Sequence, residues 1–243
     1  MSGKTILITG ASGFTGRHFI LAAKKRGYRC VALCHNPSEV VPDADGCAVA
    51  DLLDVSSLNN TISRVKPGLV LHLAAVSFVV HENVAEIYQV NLIGTLNLIN
   101  ALASESGNLQ RILVASSANI YGNVTNLPIT ETIVPQPVNH YAISKYAMEM
   151  PAAQFTDLPM VLARPFNYTG TGQHESFLIP KIVSAYKRAQ PEIQLGNLDV
   201  SRDFSDVRDV VDAYLKLLEL PAPAPVYNIC SGISTLLGSS PVL

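Results

Sequence analysis

Residues 5–16 read Thr5-Ile-Leu-Ile-Thr-Gly10-Ala-Ser-Gly13-Phe-Thr-Gly16. The apolar run over 5–8 has the length of a buried strand, and it leads directly into three glycines spaced GxxGxxG at the opening of a helix. Glycine lets a backbone turn tightly and approach a ligand, and the N-terminal end of a helix attracts negative charge. Directly after a first strand, this pattern predicts a loop that cradles a pyrophosphate. Without that context the same glycines would be a plain tight turn.

Working outward, short apolar runs alternate with longer amphipathic ones. Runs over 5–8, 30–33, 48–50, 69–73, 112–115 and 160–163 predict strands, separated by segments of helical period that include one long helix over 84–104. Such alternation argues for a parallel sheet with helices on both faces. After about residue 165 the rhythm changes to Gly/Thr-rich turns at 168–172, a helix near 177–188, a short apolar piece at 193–195 and a helix at 207–218. Pro221, Pro223 and Pro225 then end that helix before the apolar run at 226–229. The expected architecture is α/β: a Rossmann-type doubly wound parallel sheet over 1–165, and a smaller substrate-facing lobe over 166–243.

The bulk properties agree with one sizeable folded unit. Of 243 residues, 48% are hydrophobic, enough for a large core, and the net charge of −2 with scattered Lys and Arg gives no footprint for nucleic acid or an anionic membrane surface. No apolar run approaches a membrane span and no leader pattern opens the chain, so a cytoplasmic protein is expected. Cys30, Cys34, Cys47 and Cys230 form no metal-ligand spacing and are read as reduced, mostly buried thiols. No metal is implied.

Three further stretches carry chemistry. Asp51-Leu52 ends a short strand, where a carboxylate would reach an adenine amine or cap the next helix. Leu73-Ala74-Ala75 offers small side chains against which a cofactor, or simply another element, could lie. Ala115-Ser116-Ser117-Ala118-Asn119-Ile120-Tyr121-Gly122 follows a strand, where ligands of doubly wound sheets bind, and Tyr141 and Lys145 lie one helical turn apart some twenty residues later.

Taken in order, the glycine loop, Asp51-Leu52, the serine loop ending Tyr121-Gly122 and the YxxxK pair resemble the extended short-chain dehydrogenase/reductase family over about residues 4–230. The resemblance implies that Ser117 hydrogen-bonds the substrate oxygen, that Tyr141 donates or accepts the proton, and that Lys145 binds the nicotinamide ribose and lowers the phenol pKa. It implies cofactor contacts from Gly10, Ser12, Gly13, Phe14, Thr15, Gly16, Arg17, His35, Asp51, Leu52, Leu73, Ala74, Ala75, Asn91 and Pro165. It also implies a homodimer formed through the long helix and the YxxxK helix.

The stretches at 164–173 and 195–209 resemble the family's GDP-mannose branch, and most of all its reductases of GDP-4-dehydro-6-deoxy-D-mannose. That implies a GDP-sugar substrate with Asn167 and Arg202 on the diphosphate, although Arg202 could instead pair with Asp203 or Asp206. Asn119 stands where the family's dehydratases carry an acid, and an amide cannot take a proton from carbon, which argues against simple dehydration. An NAD-dependent epimerase and a catalytically weak dinucleotide-binding subunit remain alternatives. The second strand ends His35-Asn36 with no acid for a ribose hydroxyl, and Arg17 could reach a 2′-phosphate, so NADP(H) is favoured over NAD(H). Two departures from the family are expected to matter: Pro151 should kink or end its helix at about Met150, and the chain stops soon after Gly232, as if the substrate lobe were truncated.

Overall fold

The computed structural model describes residues 5–77 and 83–239; residues 240–243, the end of the short C-terminal stretch, lie outside them. Seven strands form one parallel sheet: β1 (Thr5–Thr9), β2 (Arg29–Cys34), β3 (Gly46–Val49), β4 (Leu69–His72), β5 (Arg111–Ala115), β6 (Met160–Pro165) and, after β7 and β8, β9 (Val226–Ile229). Their order is β3-β2-β1-β4-β5-β6-β9. The order reverses between β1 and β4, and the carboxyl ends of those two strands are where a doubly wound sheet opens a crevice.

Helices cover both faces. On one side α1 (Phe14–Lys25) and α7 (Val207–Glu219) bury Phe19, Ile20, Val210, Tyr214 and Leu215 against Ile6, Ile8, Leu71 and Leu113. On the other, α2 (Val55–Val65), α4 (Thr95–Ser104) and α5 (His140–Ala152) place Leu58, Ile62, Leu98, Leu102 and Met148 against Leu7, Val70, Ile112 and Val114. Alternate residues of each strand therefore feed the two layers, as the period of two requires. A second, three-stranded sheet has the order β10-β8-β7, built from β7 (Asn167–Thr169), β8 (Ser201–Asp206) and β10 (Ser234–Leu236). Between β7 and β8 lies α6 (Leu178–Lys187).

Several expectations change. The helix expected over 84–104 is three pieces: α3 (Val84–Tyr88), a π-helical turn (Gln89–Gly94) and α4. The wide turn buries Asn91, whose amide engages neighbouring backbone. Helix α5 passes through Pro151 to Ala152, because the proline falls in the last turn and the Ala153 amide still reaches the Glu149 carbonyl. Asp54, not Asp51, caps α2 by accepting from the Ser57 amide. The thiols are not all free: adjacent strands β2 and β3 bring Cys34 and Cys47 into a disulfide, while Cys30 is buried, its thiol pushed up to about 11 by burial, and Cys230 is exposed. Among the described residues no helix is long and apolar enough to cross a membrane.

Candidate active site

A cleft of about 720 Å³ opens over the carboxyl ends of the parallel strands. No Asp or Glu lines it among the described residues, whereas Arg17, Lys145 and Arg202 do. A low-dielectric cleft lined by one sign of charge concentrates ligands of the other, so this one suits a polyanion.

The glycine loop forms one wall. Gly10 sits at φ +65°, and a Cβ there would meet the Ala74 nitrogen at 2.8 Å; a Cβ on Gly16 would meet the carbonyl oxygens of Gly10 and Ala11 at 2.5 and 2.6 Å. Only glycine allows the loop, the start of α1 and the chain after β4 to approach this closely. Gly13 is the N-cap of α1 and offers no side-chain cap, which leaves first-turn amides for an anion. This bare cradle fits the pyrophosphate of a dinucleotide. Arg17 lines the same wall, its Nε donating to the Ser12 carbonyl at 2.7 Å. The far side of the loop is pinned by Tyr168, which stacks on Phe14 at 6.1 Å between ring centres and shares a 2.8 Å hydrogen bond with the Thr15 hydroxyl.

Ser117, Tyr141 and Lys145 meet on the floor of the cleft. The Ser117 hydroxyl caps the short turn after β5, accepting from the Asn119 amide at 3.1 Å, and stands near enough to the Tyr141 phenol to lower its pKa. Asn139 starts α5 by accepting from the Ala142 amide at 2.8 Å, which places Tyr141 and Lys145 at the cleft end of the helix. Lys145 Nζ donates to the Ala115 carbonyl at 2.8 Å. Burial brings its pKa down to about 8, against the pull of Glu149 one turn later. The phenol differs from expectation. Burial, with Tyr168 adding, holds its pKa above the ordinary phenol value, and the nearby Ser117 hydroxyl only partly opposes this. Desolvation of the phenolate thus prevails and favours the protonated phenol.

Behind the wall runs a buried polar chain. The Thr9 hydroxyl accepts from the amides of Leu73 and Ala74 at 3.1 and 3.0 Å and donates to His72 Nδ1 at 2.7 Å; His72 Nε2 reaches the Thr95 hydroxyl at 2.8 Å, and that hydroxyl donates to the Asn91 carbonyl. A neutral imidazole with its proton on Nε2 satisfies every partner. Burial, aided by the Lys145 charge, lowers the His72 pKa from 6.5 to about 3. Between those values the unfolded chain binds a proton that the folded one does not, so stability falls as pH drops from 6.5 towards 3. Urea titrations across that range should show this slope for wild type and lose it in His72→Gln; an equal slope in both would exclude His72 as its source.

Most sequence-predicted residues line the cleft: Gly10, Ser12, Gly13, Phe14, Thr15, Gly16, Arg17, Leu73, Ala75, Asn119, Pro165, Asn167 and Arg202 join the trio. Five do not. Asn91 stands one layer back, its amide bonded to the Val76 backbone and donating to the Ser144 hydroxyl at 3.0 Å, which in turn donates to the Tyr141 carbonyl. Leu52 is in the core, and Ala74 presents its amide to Thr9. His35 and Asp51 face one another at 3.8 Å outside the cleft, and Asp51 accepts from the Leu53 amide. Among the described residues neither Asp203 nor Asp206 pairs with Arg202: Asp206 holds Arg208, and Asp203 accepts from the amides of Ser231 and Gly232. Sequence reading missed Phe166, Gln173, His174, Phe177 and Phe204. They sit in irregular segments and a polar strand, where no period marks a lining position.

The chain is similar to several named proteins. A GDP-6-deoxy-D-mannose reductase of Pseudomonas aeruginosa is 38% identical over 239 residues, covering 93% of this chain and 74% of its own length. A GDP-6-deoxy-D-talose 4-dehydrogenase of Aggregatibacter actinomycetemcomitans is 35% identical over 233 residues, covering 94% and 74%. The chain thus spans about three-quarters of the length of these relatives. The structure of RMD from P. aeruginosa complexed with NADPH superposes with a TM-score of 0.81 at 35% identity, over 97% of this chain and 79% of that one. The profile of the NAD dependent epimerase/dehydratase family matches residues 6–230, and with these relatives at 35 and 38% identity over most of its length, the chain belongs to that family.

Proposed function

We propose that the protein is an NADPH-preferring reductase of a GDP-4-keto-6-deoxy sugar, of the kind that converts GDP-4-dehydro-6-deoxy-D-mannose to GDP-D-rhamnose. The observation that carries the reading is a cleft whose floor brings Ser117, Tyr141 and Lys145 together with no carboxylate among its described lining residues, and burial there favours the protonated phenol. Reducing a ketone ends with a proton delivered to the nascent alkoxide, so the site needs an acid at rest. Oxidation or epimerisation would start from a phenolate, which burial here disfavours. The named reductase and dehydrogenase relatives point the same way.

When bound, the reduced nicotinamide supplies a hydride to C4 of the sugar. Ser117 and Tyr141 donate to the C4 oxygen, polarising the carbonyl and holding it in one orientation. Tyr141 then passes its proton to that oxygen. Lys145 binds the nicotinamide ribose, and its ammonium charge stabilises the phenolate left behind. The α1 amides and Gly10–Gly16 hold the pyrophosphate, and Arg17 selects the extra phosphate of NADPH. Residues from 166 onward form the sugar-nucleotide side, with Asn167 and Arg202 on its diphosphate. Asn119 stands beside Ser117 as a neutral amide and leaves no carboxylate base there for dehydration.

The test is oxidation of NADPH at 340 nm with enzymatically generated GDP-4-keto-6-deoxy-mannose. Turnover above that with NADH supports the proposal. Dinucleotide binding without turnover would remove it.

A further inference from the structure

Arg164 and Glu149 form a buried ion pair, their side chains 8% and 5% exposed, that no step above uses. The pairing is two-pronged: Arg164 Nε donates to Glu149 Oε1 at 3.1 Å and Nη2 to Oε2 at 2.7 Å. Its third nitrogen, Nη1, donates to the Tyr121 hydroxyl at 2.8 Å, and that hydroxyl donates to Asn228 Oδ1 at 2.8 Å. The guanidinium also lies 5.2 Å from the centre of the Tyr121 ring. Asn228 closes the far end, its side chain donating to the Ile129 carbonyl at 3.1 Å and its backbone amide to the Glu131 carboxylate at 2.7 Å.

Each member comes from a different part of the catalytic frame. Glu149 is one turn beyond Lys145 on α5. Arg164 precedes Pro165, which lines the cleft. Tyr121 ends the turn that Ser117 caps. Asn228 is Arg164's register partner on β9. Burying two charges costs nearly what their attraction returns, so an apolar pair of the same volume would stabilise the fold about as well. What an apolar pair lacks is direction: a forked guanidinium fixes three partners at set angles.

We propose that Arg164, held by Glu149, is a positioning residue that locks Tyr121, and with it the turn bearing Ser117, against the helix bearing Tyr141 and Lys145. The inference rests on the proposed reductase reading for its kinetic consequence but not for its structural one. Loosening the lock lets Ser117 and Tyr141 drift apart while the glycine cradle and diphosphate contacts stay intact. The loss should therefore fall on kcat and leave KM largely unchanged.

Tyr121→Phe removes one hydroxyl and breaks the link between Arg164 and Asn228; Arg164→Met with Glu149→Gln removes both charges together, so neither is left buried alone. Both variants are expected to lower kcat by roughly 10-fold or more, with KM for NADPH and sugar within about two-fold. Arg164→Lys should not rescue, because an ammonium lacks the fork. Hydrogen exchange should accelerate at the amides of residues 116–122 and remain unchanged over residues 10–17. Tyr121→Phe protein with wild-type kcat, or a loss confined to KM, would overturn the proposal. If wild-type protein shows no turnover, the reductase reading fails and exchange decides alone: faster exchange at 116–122 supports the lock, and unchanged exchange overturns it.

Discussion

Tyr141→Phe should lower the rate of NADPH-dependent ketone reduction by ~10²–10⁴-fold, the usual contribution of a positioned acid, and leave NADPH affinity within about two-fold. The ring remains to pack at the floor of the cleft while the proton is gone. Ser117 alone can still polarise the carbonyl, but its hydroxyl is too weak an acid to complete the step. Because burial holds the phenol pKa above its ordinary value, the wild-type rate should not decline through ionisation of Tyr141 as the pH rises from 6 to 8, nor depend on a Tyr141 phenolate in that range. A fall in kcat on lowering the pH from 8 to 6 that vanishes in Tyr141→Phe would contradict that assignment. Stopped-flow and steady-state absorbance at 340 nm measure both quantities. A mutant retaining more than a tenth of wild-type kcat would exclude Tyr141 as the acid.

Gly16→Ala should be the most damaging single methyl in the chain for cofactor binding. Its Cβ would lie 2.5 Å from the Gly10 carbonyl, 2.6 Å from that of Ala11 and 2.7 Å from the Ala11 Cα, all backbone atoms that no rotamer change can clear. Helix α1 must then retreat from the loop, which withdraws its first-turn amides from the pyrophosphate. Overpacking of this kind costs about 1–3 kcal/mol of stability, and the lost phosphate contacts should weaken NADPH binding by roughly 100-fold in fluorescence titration, since hydrogen bonds to charged groups contribute about 1.5–3 kcal/mol each. Gly107→Ala, at an exposed position with nothing within 4 Å of the added Cβ, is the matched control and should change neither quantity. Equal NADPH affinity in Gly16→Ala and wild type would show that the loop is not the cradle.

The central sheet was legible because its strands are apolar runs punctuated by glycine and polar turns, a pattern that only burial on both faces produces. The side sheet was not. Strand β8, Ser-Arg-Asp-Phe-Ser-Asp, has no apolar run, and it becomes a strand through pairing with β7 and β10, which local sequence does not encode. The π-helical turn around Asn91 escaped for a related reason: one extra residue in a turn barely alters apolar spacing, and the buried amide only acquires meaning once Val76 and Ser144 are beside it. In the site, residues close in sequence to a strand end or a helix start were placed well. His35 and Asp51 sit just beyond strand ends, outside the cleft lining, where they face each other at 3.8 Å. Aromatic lining from residues 166–177 carries no spacing signal. For Tyr141, spacing shows Lys145 one turn away but not the burial that raises the phenol pKa.

The most direct test of the account follows the hydride itself. Wild-type protein, NADPH deuterated at C4 of the nicotinamide in each of its two configurations, and GDP-4-keto-6-deoxy-mannose should give, from one of the two cofactors, a product bearing deuterium at C4 of the sugar by NMR, with one equivalent of NADP⁺ formed per label transferred. A C4 alcohol carrying no label from either cofactor, or an unchanged 4-keto sugar without net NADPH consumption, would contradict it.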